Sequence, residues 1–210
     1  MQEVSGTGAP ALGSEAMAQL FLQIATSLDG YIEDANHDIG WMIEDPSIDP
    51  FMTDVLRGVD GMIFGKTAHK LLAEFWPTAG EQKGASDELK AQAELMNRMP
   101  KYVLTHGGEE TGWNNSHAIR AEDVPRLKRD AKRPIALYAG AGAAQALMDQ
   151  LDEIRLIQYP ILLGAGTPLF AEDSRRRPLR LLESRAAALR ASLRWLSCGE
   201  VRPRRPCLIE

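Results

Sequence analysis

The apolar positions of this chain fall into short blocks separated by polar, turn-forming stretches. Residues 19–25 (Gln-Leu-Phe-Leu-Gln-Ile-Ala) form an apolar run that predicts a buried strand, broken by Ser27-Leu28-Asp29-Gly30. Comparable runs at 61–64, 101–105, 135–138 and 153–159 predict further strands, and 116–119 predicts a weaker one. Between them lie helix-like segments. Residues 50–57 read as a helix with Pro50 in its first turn and Asp49 as its N-cap. Residues 68–75 read as a second helix, stopping before Trp76-Pro77. Residues 86–99 carry a Ser cap, two acids in the first turn, and Leu89, Ala93 and Met96 on one face. Residues 123–131 and 143–151 predict two more helices.

Residues 33–49 are polar and predict a long loop, a frequent seat of function. Residues 160–170 are apolar but turn-rich, and 179–184 with 189–196 predict a terminal antiparallel pair. Strands alternating with helices and ending antiparallel predict an α/β domain with one mixed, mostly parallel sheet. Residues 1–16 read as a disordered leader or as an upstream start ahead of Met17, residues 17–197 as the domain, and 198–210 as a tail.

Charge and composition narrow the function. The net charge is −5, with basic runs only at 175–177 and 202–205, so a nucleic-acid backbone is not the expected partner. No stretch reaches the roughly 18 apolar residues of a membrane span. Two cysteines without a signal-peptide pattern point to a reduced, cytoplasmic protein. The four histidines show no ligand spacing, so no metal is expected. No GxSxG motif supports a serine hydrolase.

In an open α/β sheet, ligands bind beyond the carboxyl ends of the strands. Three such ends are rich in small or hydroxyl residues: Gly65-Lys66-Thr67, Thr105-His106-Gly107 and Gly140-Ala141-Gly142-Ala143. Helix starts offer unpaired N–H groups to a phosphate, and small residues let the backbone approach it. Tight turns alone would also use these glycines. Lys66 suits a ribose 2′-phosphate, which favours NADPH over NADH. Asp29 either orients a polar substrate or closes an Asx-turn. Asp49 either caps its helix or holds a substrate's N–H groups. Trp41 is either a lid over the cofactor or the anchor of its loop.

The residues Ser27-Leu-Asp-Gly-Tyr-Ile32, Trp41, Ile63-Phe-Gly-Lys-Thr67, Trp76-Pro77, 101–105, 140–142, 152–156 and Pro160-Ile-Leu-Leu-Gly-Ala-Gly-Thr-Pro-Leu-Phe170 occur in a familiar order. Over residues 17–195 the chain resembles stand-alone dihydrofolate reductase-like proteins, near the C-terminal reductase domain of riboflavin-biosynthesis RibD. The resemblance implies an eight-stranded mixed sheet with flanking helices, NADPH as hydride donor, a small-molecule acceptor and a homodimer. It implies cofactor contacts from Gly65, Lys66, Thr67, Thr105, His106 and Gly140 to Ala143, with Leu163 and Gly164 nearby. Dihydrofolate reductases place a carboxylate at the start of their second helix, and by spacing from Gly65 the resemblance puts Asp49 there. With the readings above, Asp29, Asp49 and Trp41 are the catalytic candidates, Asp29 or Asp49 holding the acceptor. Ala139 stands where riboflavin-pathway reductases carry Glu, and Tyr31 where they carry Lys or Arg. These departures point away from the ribitol-phosphate substrate. The expected activity is NADPH-dependent hydride transfer to a C=N or C=O bond of a pterin- or pyrimidinone-like heterocycle. The alternatives are 5-amino-6-(5-phosphoribosylamino)uracil reductase activity and a non-catalytic nucleotide-binding dimer.

Overall fold

The computed structural model describes residues 17–42, 45–105, 112–170, 176–187 and 191–199. The leader 1–16, His106 and most of the tail therefore lie outside the described residues. The strands are β1 (Leu20–Thr26), β2 (Tyr31–Asp34), β3 (Gly61–Gly65), β4 (Lys101–Leu104), β5 (Ser116–Ile119), β6 (Ile135–Tyr138), β7 (Glu153–Gln158), β8 (Gly166–Pro168), β9 (Arg180–Ala186) and β10 (Ser192–Ser197). The helices are α1 (Ile48–Arg57), α2 (Lys66–Ala79), α3 (Asp87–Arg98), α4 (Val124–Asp130) and α5 (Ala141–Ala146), with short 3-10 turns at Ala121–Asp123 and Met148–Gln150.

Eight strands form one sheet in the order β5-β4-β3-β6-β1-β7-β10-β9. The first six are parallel, while β10 runs antiparallel to β7 and β9. The central strands are covered on both faces, which explains their continuous apolar runs. Side chains alternate between the faces. Leu20, Leu22, Ile63, Ile135 and Leu137 join the core that includes Val124 of α4 and Ala144 of α5. Phe21, Met62, Phe64 and Ala136 join the core beneath α1, α2 and α3.

This partition follows from chain direction. From β1 the chain crosses β6 to reach β3, then moves outward to β4. From β6 it crosses β1 to reach β7, in the opposite direction. Right-handed crossovers running opposite ways place their helices on opposite faces. The neighbours β3 and β6 are therefore where the winding reverses, and a crevice opens at their carboxyl ends.

The structure amends several local readings. The helix predicted from Pro50 begins at Ile48, with Ser47 in the cap position, so Asp49 lies inside the first turn and is not the N-cap. Asp45 organises the entry instead, accepting from the Ser47 N–H at 3.0 Å and the Ser47 hydroxyl at 2.6 Å. Helix α2 begins at Lys66 and runs through Pro77. A helix-interior proline costs about 3 kcal/mol. Packing offsets it here: Ala79 is fully buried, and Asn97 Nδ2 donates to the Trp76 carbonyl at 3.0 Å. Helix α5 begins at Ala141, two residues before the predicted start. The polar segment 33–49 is not wholly loop, because its first residues belong to β2, paired with β8.

Lys101 is fully buried and caps the end of α3. Its Nζ donates to the carbonyls of Met96 (2.7 Å), Asn97 (3.2 Å) and Met99 (2.8 Å), and it lies 4.6 Å from the centre of the Trp113 ring. Burial pulls its pKa down to about 8. Lys101→Met keeps the apolar stem but leaves buried carbonyls without a donor. It is expected to lower unfolding free energy by about 1–3 kcal/mol in chemical denaturation. An unchanged midpoint would show that this cap adds nothing to stability.

Candidate functional site

A cleft of about 620 Å³ opens at the carboxyl rim, lined by residues from both sides of the crevice. Gly65, Lys66, Thr67 and Ala68 come from the end of β3 and the first turn of α2. Gly140 to Ala143 come from the end of β6 and the first turn of α5. Leu104 and Thr105 come from the end of β4. The two helix starts approach closely, since a Cβ added at Gly65 would lie 3.2 Å from the Ala143 Cβ. A Cβ at Gly142 would meet nothing within 4 Å, which leaves its backbone open to the cleft.

The cleft thus brings together Gly65, Lys66, Thr67, Thr105, Gly140, Ala141, Gly142 and Ala143. Leu163 and Gly164 do not line it. That segment reaches the cleft through Thr167 of β8. Ile32, Glu33, Arg120, Ala121 and Glu122 also line it and were not singled out from sequence. Arg120 follows β5 directly, so the strand-end rule applied to β5 would have found it.

Charge in the cleft is mixed. Arg120 lies 3.6 Å from Glu122, and both are largely exposed, so the pair is weak and open to exchange with a phosphate. Glu33 accepts from the Thr167 hydroxyl at 2.5 Å and lies 2.6 Å from His37 Nδ1. The Thr167 bond, then the His37 contact, holds its pKa below the usual range. Gly166 makes this possible: at φ 145°, a Cβ there would sit 2.0 Å from the Glu33 carbonyl oxygen.

The three predicted catalytic residues are placed differently. Asp29 binds the 163–164 turn. Its Oδ1 accepts from the Ser27 hydroxyl at 2.6 Å and the Leu163 N–H at 3.2 Å, and its Oδ2 from the Gly164 N–H at 2.8 Å. The Ser27 bond, followed by the Gly164 bond, lowers its pKa. Asp49 is exposed on the first turn of α1. With Asp45 it adds to the burial that raises the Tyr159 pKa. Trp41 packs edge-on against Tyr159 with ring centres 5.8 Å apart, so it anchors its segment to the core.

The sheet face under α1 and α2 has a second polar feature. Gln23 is 3% exposed, and neither atom of its amide has a hydrogen-bond partner among the described residues. The same holds for the Tyr138 hydroxyl and the indole N–H groups of Trp41 and Trp76. Leaving such a group unpaired costs about 1–3 kcal/mol. Burial pushes the Tyr138 phenol well above its ordinary pKa, so it stays protonated.

Among the described residues, no helix is long and apolar enough to cross a membrane, and no group of three His, Cys, Asp or Glu is placed to hold a metal.

Comparison with known proteins matches residues 18–191 to the RibD C-terminal domain family. The chain is 30% identical over 172 residues to the uncharacterized protein YyaP of Bacillus subtilis (strain 168), covering 80% of this chain and 88% of that one. Among solved structures it is similar to a putative riboflavin biosynthesis protein from Shewanella sp. PV-4, with TM-score 0.63 and 20% identity, covering 85% of this chain and 98% of that one. It is also similar to a diaminohydroxyphosphoribosylaminopyrimidine deaminase/5-amino-6-(5-phosphoribosylamino)uracil reductase from Thermotoga maritima. There the TM-score is 0.60 at 13% identity, over 86% of this chain and 56% of that one.

The Asp29 clamp makes a prediction. Asp29→Ala is expected to speed hydrogen exchange at the Leu163 and Gly164 amides at least tenfold, leaving β1 unchanged. A carboxylate with a lowered folded pKa contributes above its unfolded pKa and is lost as pH falls through the folded one. Protection in the unmodified protein should therefore persist at mildly acidic pH and disappear only below the usual aspartate range. Equal exchange in both proteins at neutral pH would remove the clamp.

Proposed function

The chain belongs to the RibD C-terminal domain family, and from that premise we propose that it is an NADPH-dependent reductase acting on a small heterocycle with a C=N or C=O bond. The observation that carries this reading is the crevice between β3 and β6. Two helix starts face one cleft there, with small residues at the closest approach and two cations on one flank.

The residues present fit a pyridine nucleotide. The first-turn N–H groups of α2 and α5 are donors suited to a diphosphate, and Gly140 and Gly142 keep side chains out of its way. Lys66, Thr67, Thr105 and Arg120 would hold a ribose 2′-phosphate. Glu33 is held ionised by its Thr167 and His37 contacts, so its charge opposes the phosphates and Lys66 and Arg120 must outweigh it. When bound, NADPH supplies the hydride. The protein's part is to fix the relative positions of donor and acceptor, and orientation of this kind removes much of a barrier.

Asp49, exposed on the first turn of α1 beside Tyr159, is the carboxylate proposed to hold the acceptor. Both oxygens of Asp29 already serve Ser27 and the 163–164 turn, so Asp29 is a positioning residue. Ala139, 7% exposed, leaves no charge where riboflavin-pathway reductases carry Glu, which favours an acceptor without the ribitol phosphate. The exposed leucines Leu179, Leu181 and Leu182 at the β9 edge support the homodimer.

Lys66→Ala is expected to weaken NADPH binding roughly ten- to hundredfold, the worth of one charge-assisted phosphate contact, and NADH binding less than threefold. Fluorescence titration with both nucleotides reads this directly. Equal losses would contradict the 2′-phosphate role.

A further inference from the structure

Gln23 and Tyr138 are neighbours. The register of β1 and β6 pairs Leu22 with Leu137, so the next residues along the two parallel strands stand side by side. Both point to the face shared by Phe21, Ala25 and Phe64, away from Leu22 and Ile24. Tyr138 comes two residues before Gly140, which lines the cleft. The pair thus lies just below the rim, on the face opposite α5.

Around them are aromatic and aliphatic side chains together with Arg155, which stands opposite Gln23 in the β1–β7 register and is held by Glu153 over the Phe21 ring. None of these neighbours bonds the Gln23 amide or the Tyr138 hydroxyl, and leucine at 23 or phenylalanine at 138 would fill similar space. More than nine in ten buried polar groups in folded proteins are hydrogen-bonded. Six buried side-chain atoms are unpartnered among the described residues, and three of them belong to this one pair. Two more, the indole N–H groups of Trp41 and Trp76, belong to the packing around Phe51 of α1 on the same face.

We propose that Gln23 and Tyr138 form a neutral recognition floor that selects the acceptor ring. The Gln23 amide offers a donor beside an acceptor, which matches an N–H next to a C=O on a planar ring. The Tyr138 hydroxyl donates to a further acceptor atom of that ring. The Gln23 amide and the Tyr138 hydroxyl are closed from solvent although the Tyr138 residue is only half-buried, so a ring that reaches them displaces side chains packed over these polar atoms. The inference rests on the reductase reading in one respect, that the ring held is the hydride acceptor.

The test uses the full chain with Gln23→Leu and Tyr138→Phe, and pterin against its 3-methyl derivative, which lacks the ring N–H. Calorimetric titration of the unmodified protein should show pterin bound at least tenfold more tightly than 3-methylpterin. Gln23→Leu should lose about tenfold in pterin affinity and abolish the preference. Tyr138→Phe should lose about fivefold and keep it. Both variants should melt no lower than the unmodified protein, because each sheds an unsatisfied group, and both should bind NADPH unchanged. Failure of the unmodified protein to bind pterin, an absent preference, or full affinity in Gln23→Leu would overturn the proposal. So would a lower melting temperature in both variants, which would make the pair structural. Pterin recognition without any NADPH binding would sustain the floor and refute the cofactor reading.

Discussion

Two parallel strands lie side by side, and their chains leave in opposite directions. That reversal between β3 and β6 is the constraint on which the rest depends. It forces α2 and α5 onto opposite faces of the sheet, so their first turns meet only at the rim. Their contact is close enough that position 65 has little room for a side chain beyond glycine. The cleft is therefore a consequence of topology, and its small-residue lining a consequence of how tightly the two starts converge.

The rim divides the chemistry between its two sides. Toward α5 lie the N–H groups, Lys66 and Arg120, which suit an anionic dinucleotide. Toward α1 lie Asp49, Tyr159, Gln23 and Tyr138, which suit a neutral ring with hydrogen-bonding edges. The β2–β8 pair braces the first side through the Glu33–Thr167 bond, and Asp29 fixes the turn that leads into β8. Loop order near the site is thus built from carboxylates held ionised by hydrogen bonds.

Much of the sheet was legible in the sequence because strands buried on both faces must be apolar throughout. The runs at 20–26, 61–65 and 135–138 carry that mark. Strands β2 and β8 were not legible: they are short, partly polar, and exist only as each other's partner across more than a hundred residues. Helix starts at Lys66 and Ala141 were read late because Gly65 and Gly140 occupy the cap positions and offer no side-chain signal. Cleft residues after β3, β4 and β6 followed from one rule about strand ends. Arg120 obeyed the same rule at a strand too weak to draw notice. The role of Asp29 could not be read locally, since its partners Leu163 and Gly164 lie far along the chain. Nor could the isolation of the Gln23 amide, which only the packed structure reveals.

The most direct test of this account is amide hydrogen exchange of the protein with and without saturating NADPH. Protection is predicted at 65–68, 104–105, 120–122 and 140–146, with α1 and β9 unchanged. Absence of protection at both 65–68 and 140–146, or protection confined to another face, would contradict the claim that the β3–β6 crevice holds the nucleotide.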